Sequence, residues 1–102
     1  MIYHMVLLKV RENVPDADVE RVFTKIGNLR DKIPGITGFE WGPYSSNEGL
    51  NRGYTHAFCM TFTNAAARDT YLPHPEHEIV KGHVVEILEG GVDGVLAFDF
   101  EA

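Results

Sequence analysis

The chain has 102 residues, 44% of them hydrophobic and 24% charged, with a formal net charge of −6. That length makes one domain, residues 1–102, with one modest core. No basic stripe is present to attract phosphates, which excludes nucleic acid as a partner. No apolar run approaches the roughly 20 residues that span a bilayer, and MIYHMVLLKV is too short and too polar for a signal peptide, so no membrane association is expected. The single cysteine, Cys59, excludes an internal disulfide and points to a reducing, cytoplasmic location.

Residues 2–11 read as a strand. Ile2, His4, Val6, Leu8 and Val10 share one face, and Tyr3, Met5, Leu7, Lys9 and Arg11 the other. Both faces are apolar through the middle, so the strand should be covered on both sides. Val14-Pro15-Asp16 breaks it and offers a helix cap at Asp16 or Asp18. Val19, Val22, Phe23, Ile26, Leu29 and Ile33 then form the apolar stripe of an amphipathic helix that Pro34-Gly35 ends. Residues 36–44 look like a second strand weakened by glycines. Ser45 to Gly53 is a polar loop.

Residues 54–63 form the clearest strand. Tyr54, His56, Phe58, Met60 and Phe62 make its large face, and Thr55, Ala57, Cys59, Thr61 and Thr63 its small one. Asn64 caps a short helix that Pro73 stops. Pro75 suits the first turn of another helix, with His74 as its cap. In that helix His77, Val80, Val84, Ile87 and Leu88 share a stripe, and Gly90-Gly91 closes it. A last strand runs from about Gly94 to Phe100.

The order β-α-β-β-α-β is the split βαβ arrangement of an α+β, ferredoxin-like fold: a four-stranded antiparallel sheet with helices on one face. The helices cover one side only, yet the strands are apolar on both. Two such sheets packed face to face in a homodimer would bury the second side.

Three of the five histidines occupy positions that should be apolar: His4, His56 and His77. Imidazole is a poor core filler, because its nitrogens need partners when buried, and its pKa of about 6.5 suits it to proton transfer near neutral pH. His4 and His56 each lie near the start of their strands. If those strands are antiparallel neighbours, the two rings fall at opposite ends of the sheet.

Tyr71 and His77 flank a Pro-bracketed turn and are expected to form a hydrogen-bonded pair. The imidazole would act as base and the phenol would polarise a carbonyl oxygen. The alternative is that Tyr71 caps the core edge and His77 fills space. His74-x-x-His77 has a spacing that zinc sites use, but no cysteine pair or carboxylate completes a set, so no metal site is expected. Gly-rich phosphate loops and nucleophile elbows are absent.

Five segments, His4-Met5-Val6-Leu7-Leu8-Lys9, Ile33-Pro34-Gly35-Ile36, Gly53-Tyr54-Thr55-His56, Tyr71-Leu72-Pro73-His74-Pro75-Glu76-His77 and Phe98-Asp99-Phe100, resemble the stress-responsive α/β barrel (Dabb) family across almost the whole chain. The Tyr-Leu-x-His-Pro-x-His segment is the most specific. The resemblance implies a dimeric α+β barrel. Polyketide-cyclase-type members perform an aldol cyclisation with a tyrosine and a histidine. Matched by motif, these roles fall on Tyr71 and His77, with support from His4, His56 and Asp99. A tyrosine that lines the cyclase cavity is Ile26 here, which separates this chain from that substrate.

Two functions follow. One is a cofactor-independent enzyme of cyclase, isomerase or lyase type acting beside a carbonyl. His77 would be base and Tyr71 the orienting acid, in a pocket of Val6, Leu8, Phe23, Ile26, Phe58 and Met60. The other is a non-catalytic, stress-associated homo-oligomeric barrel or a binder of small apolar ligands, with the helix–sheet layer filled.

Overall fold

Alternation of large apolar side chains sets the sheet. A computed structural model describes residues 1–102. It has strands β1 (Ile2–Leu8), β2 (Ile36–Pro43), β3 (His56–Phe62) and β4 (Val95–Glu101), and helices α1 (Asp16–Gly27), α2 (Ala65–Tyr71) and α3 (Pro75–Glu86). The strands make one antiparallel sheet in the order β2-β3-β1-β4. This is the ferredoxin-like α+β arrangement, with the second helical segment split into α2 and α3 as the Asn64 and His74 caps lead one to expect.

β1 is shorter than the 2–11 expected: beyond Leu8, only Val10 pairs, in an isolated bridge to Leu88. On the helix side Ile2, Val6, Leu8, Phe58, Met60 and Phe62 are buried, joined by Val19, Val22, Phe23 and Ile26 of α1. The opposite side keeps Met5, Leu96, Phe98 and Phe100 exposed, Phe98 at 64%, and Phe100 stacks on Tyr3 at 5.0 Å. An apolar patch of this kind on a sheet face marks an interaction surface.

The helix ends follow local chemistry. Neither Asp16 nor Asp18 caps α1. Pro15 holds that position in extended geometry with no side-chain cap bond. Both aspartates lie in the first turn, where negative charge complements the helix dipole. α1 stops at Gly27 rather than running to Pro34. The chain tightens into a 3₁₀ turn at 28–31, as helix ends commonly do, while Leu29 and Ile33 stay buried. The Asn64 side chain accepts from the Ala67 amide and caps α2. His74 Nδ1 accepts from the Glu76 amide at 3.1 Å and caps α3. Gly35 has φ +95°, and a Cβ there would lie 2.6 Å from the Ala67 Cβ, so α2 seats on the start of β2 only because that position is glycine.

Candidate functional site

A cavity of about 200 Å³ lies between the sheet and α3, bordered by fifteen residues, twelve of them hydrophobic. β1 contributes His4, Val6 and Leu8, β3 contributes Phe58, and α1 contributes Ile26. Tyr71 comes from the last turn of α2 and His77 from the first turn of α3. The Pro73-His74-Pro75 turn between the two helices brings this pair together. Their rings lie 4.3 Å apart at 39°.

The contact differs from the hydrogen-bonded pair expected. The rings face each other, and His77 Nδ1 lies 2.8 Å from the Leu72 carbonyl oxygen. A carbonyl only accepts, so Nδ1 carries the proton and Nε2 keeps its lone pair. Burial pulls the His77 imidazole below its ordinary value, with Lys81 and His4 adding to the fall and the Leu72 carbonyl and Glu78 opposing it. Neutral imidazole with a free Nε2 is the form a general base needs. Burial also pushes the Tyr71 phenol well above its ordinary range, so it stays protonated as a donor.

His4 is the third polar group on the cavity. It sits opposite Asp99 in the β1–β4 register, and its Nδ1 lies 2.6 Å from Asp99 Oδ1. The Arg68 guanidinium donates to Asp99 Oδ2 at 2.9 Å. Burial alone would raise the Asp99 carboxyl, but the hydrogen bonds from His4 and Arg68 hold it below its ordinary range. An ionised carboxylate only accepts, so His4 Nδ1 carries the proton and Nε2 is left free. No protein group bonds His4 Nε2 or the Tyr71 hydroxyl, yet no buried side-chain polar atom lacks a partner. Both atoms therefore keep accessible surface, and the cavity is the space their residues border.

His56 is elsewhere. It pairs with Leu8 across β1–β3, whereas His4 pairs with Met60. Four residues at about 3.3 Å each put the two rings roughly 13 Å apart along the sheet. His56 bonds the Thr55 hydroxyl at 2.8 Å and lies 5.9 Å from the Phe23 ring, and burial lowers its pKa while Asp16 opposes the fall. Two pocket expectations are also corrected. Phe23 stacks on Trp41 at 4.3 Å, away from the cavity, and Met60 is fully buried without bordering it. Val6, Leu8, Ile26 and Phe58 do border it.

Two cations went unread in the sequence. Arg68 sits three residues before Tyr71 on α2, and Lys81 borders the cavity four residues after His77 on α3. The spacings of three and four place Arg68 on the helix face of Tyr71 and Lys81 on that of His77, a signal the sequence does contain.

The model of the stress responsive A/B barrel domain matches residues 2–102. A stress-response A/B barrel domain-containing protein of Arabidopsis thaliana is 36% identical over 72% of this chain; the match spans 65% of that relative, just under two thirds of its length. Olivetolic acid cyclase of Cannabis sativa is 29% identical over 74% of this chain and 75% of its own. Among solved structures, a dimeric ferredoxin-like protein of unknown function from Jannaschia sp. CCS1 is similar with a TM-score of 0.87 and 32% identity, covering 99% of this chain and 98% of that one. Matched from end to end by the family model and sharing its fold, the chain belongs to the stress responsive A/B barrel domain family.

Proposed function

We propose that this chain is a homodimeric, cofactor-independent enzyme that moves a proton beside the carbonyl of a small molecule, with cyclase, isomerase or lyase outcome. The observation that carries the reading is the shared cavity of His77, Tyr71 and His4, each with a polar atom left free of the protein. His77 Nε2 takes a proton from the carbon next to the carbonyl. The electron pair moves onto the carbonyl oxygen, where the Tyr71 hydroxyl donates a hydrogen bond to the developing enolate. The enolate carbon then attacks a second carbonyl of the same molecule, whose π electrons move to oxygen and take the proton from the His77 imidazolium, or the carbon itself takes that proton back. Asp99, gripped by Arg68, orients His4 at the far wall.

The name of the 29% identical relative, a cyclase, supports the reaction class. The Jannaschia relative is described as dimeric, which with the exposed apolar sheet face supports pairing through that face. No helix is long and apolar enough to cross a membrane, and the lone cysteine suits a reducing compartment such as the cytoplasm.

The test is deuterium exchange at the carbon between the carbonyls of a small aryl 1,3-diketone, followed by proton NMR. The wild-type chain should accelerate exchange, and His77→Ala and His77→Gln should each lose about 10²- to 10⁴-fold. Equal rates in wild type and both variants would overturn the proposal. The second reading, a binder of small apolar ligands without chemistry, loses the filled helix–sheet layer expected with it, because a cavity reaches His77, but is favoured by the twelve hydrophobic residues of the lining. It predicts ligand binding with no exchange.

A further inference from the structure

Lys81 is the one side chain with a permanent charge among the residues that border the cavity. It is exposed, so its ammonium stands at the rim, and no carboxylate or hydrogen-bond acceptor of the protein engages it. The other ammonium and guanidinium groups near this region are occupied: Lys32 meets Glu76, and Arg68 meets Asp69 and Asp99. An unpaired cation at the mouth of an apolar cavity, on a chain of net charge −6, helps keep the His77 imidazole neutral but has no direct part in the proton transfer, and so is free to meet a ligand.

We infer that Lys81 selects an anionic ligand, a small carboxylic acid whose apolar body fills the cavity while its carboxylate meets the ammonium at the rim. The inference rests on the cavity being a ligand site and adds the class of ligand. The volume sets the size: about 200 Å³ is somewhat more than the roughly 150 Å³ apolar cavity that accepts benzene. One ring with a short substituent fits, between the Phe58 and Tyr71 rings and the valines of α3. Lys81 follows His77 by one helical turn, roughly 6 Å along the axis. The carboxylate is therefore held near the base without being the group it acts on.

The probes are 4-ethylbenzoate and its neutral, near-isosteric amide, titrated into the full chain by NMR while following the His77 and Tyr71 resonances. The carboxylate should bind roughly fivefold tighter than the amide at low salt, the upper end for a solvent-accessible ion pair. That preference should vanish at about 1 M salt, where the screening length is about 3 Å. Lys81→Met should abolish the preference and leave amide binding unchanged, and Lys81→Arg should restore it. Equal binding of acid and amide to wild type, or a preference that survives Lys81→Met, overturns the role of Lys81 while the cavity remains a ligand site. If neither probe moves His77 or Tyr71, the cavity reading and this inference fall together.

Discussion

Asp99→Asn tests whether the carboxylate organises the His4 wall. Asp99 accepts from two donors, His4 Nδ1 at 2.6 Å and the Arg68 guanidinium at 2.9 Å. Hydrogen bonds to a charged group are worth about 1.5–3 kcal/mol and neutral ones about 1. The isosteric amide keeps the shape but removes the charge and one of the two acceptor oxygens, so one bond weakens by about 1 kcal/mol and the other, worth about 2, is lost, about 3 in total. At roughly 4–8 °C per kcal/mol for a domain of this size, the melting temperature should fall by about 12–24 °C. Arg68→Met should cost less. It leaves Asp99 its bond to His4, and solvent weakens an ion pair made by a guanidinium at the surface.

The pH dependence carries a sign. The folded Asp99 carboxyl lies below its unfolded value of 3.8, so its stabilisation is complete above about pH 4 and is lost as pH falls through the lower folded value. The gap between wild type and Asp99→Asn should therefore be constant from pH 5 upward and close in stronger acid. Calorimetry at matched protein concentration measures it, since the proposed dimer would have a concentration-dependent melting point. A wild-type melting temperature in the Asn variant at pH 7, or a gap that widens in acid, refutes the reasoning.

Two further outcomes concern the other histidines and the open sheet face. His77 and His56 are both depressed by burial, so the unfolded chain binds their protons more readily than the folded one. Their neutral burial is harmless above the unfolded value near 6.5 and costs stability as pH drops below it. Calorimetric scans from pH 8 to 5 should show a decline that His77→Gln and His56→Gln each flatten, and a wild-type profile level across that range would contradict it. Phe98→Asp places a charge on the exposed apolar face without touching the helix-side core. Losing about 2 kcal/mol of burial at each of two symmetric sites should weaken the dimer on the order of 10³-fold. Sedimentation should find dimer for wild type and monomer for the variant; identical behaviour would rule out this face as the interface.

The linear sequence carried the fold with little help. Period-two patterning marks β1 and β3, the spacing from Val19 to Ile33 marks α1, and Asn64 and His74 each announce the helix they cap. These signals are legible because they depend on neighbours a few residues apart. The element ends were less so. Pro15 takes the cap position for which Asp16 and Asp18 are the sequence candidates, and α1 tightens after Gly27, where the Phe39 ring lies 3.1 Å from the place a Cβ would occupy.

The site divides in the same way. His4, His56 and His77 were all visible as inward histidines, since each breaks an apolar phase, and the antiparallel register already warned that His4 and His56 lie apart. What no local pattern specifies is which ring meets which partner. Arg68 and Asp99 are thirty-one residues apart and His4 and Asp99 ninety-five, and only the pairing of β4 with β1 and the seating of α2 beside them make one network of the three. Tyr71 and His77 are joined ring to ring rather than through a hydrogen bond, because the chain turns so that the nearer acceptor is the Leu72 carbonyl. Periodicity thus determined which faces are apolar and which side chains point inward. Strand register and helix packing decided the partners, the cavity and the lysine at its rim, because those depend on residues that meet only once the chain has folded.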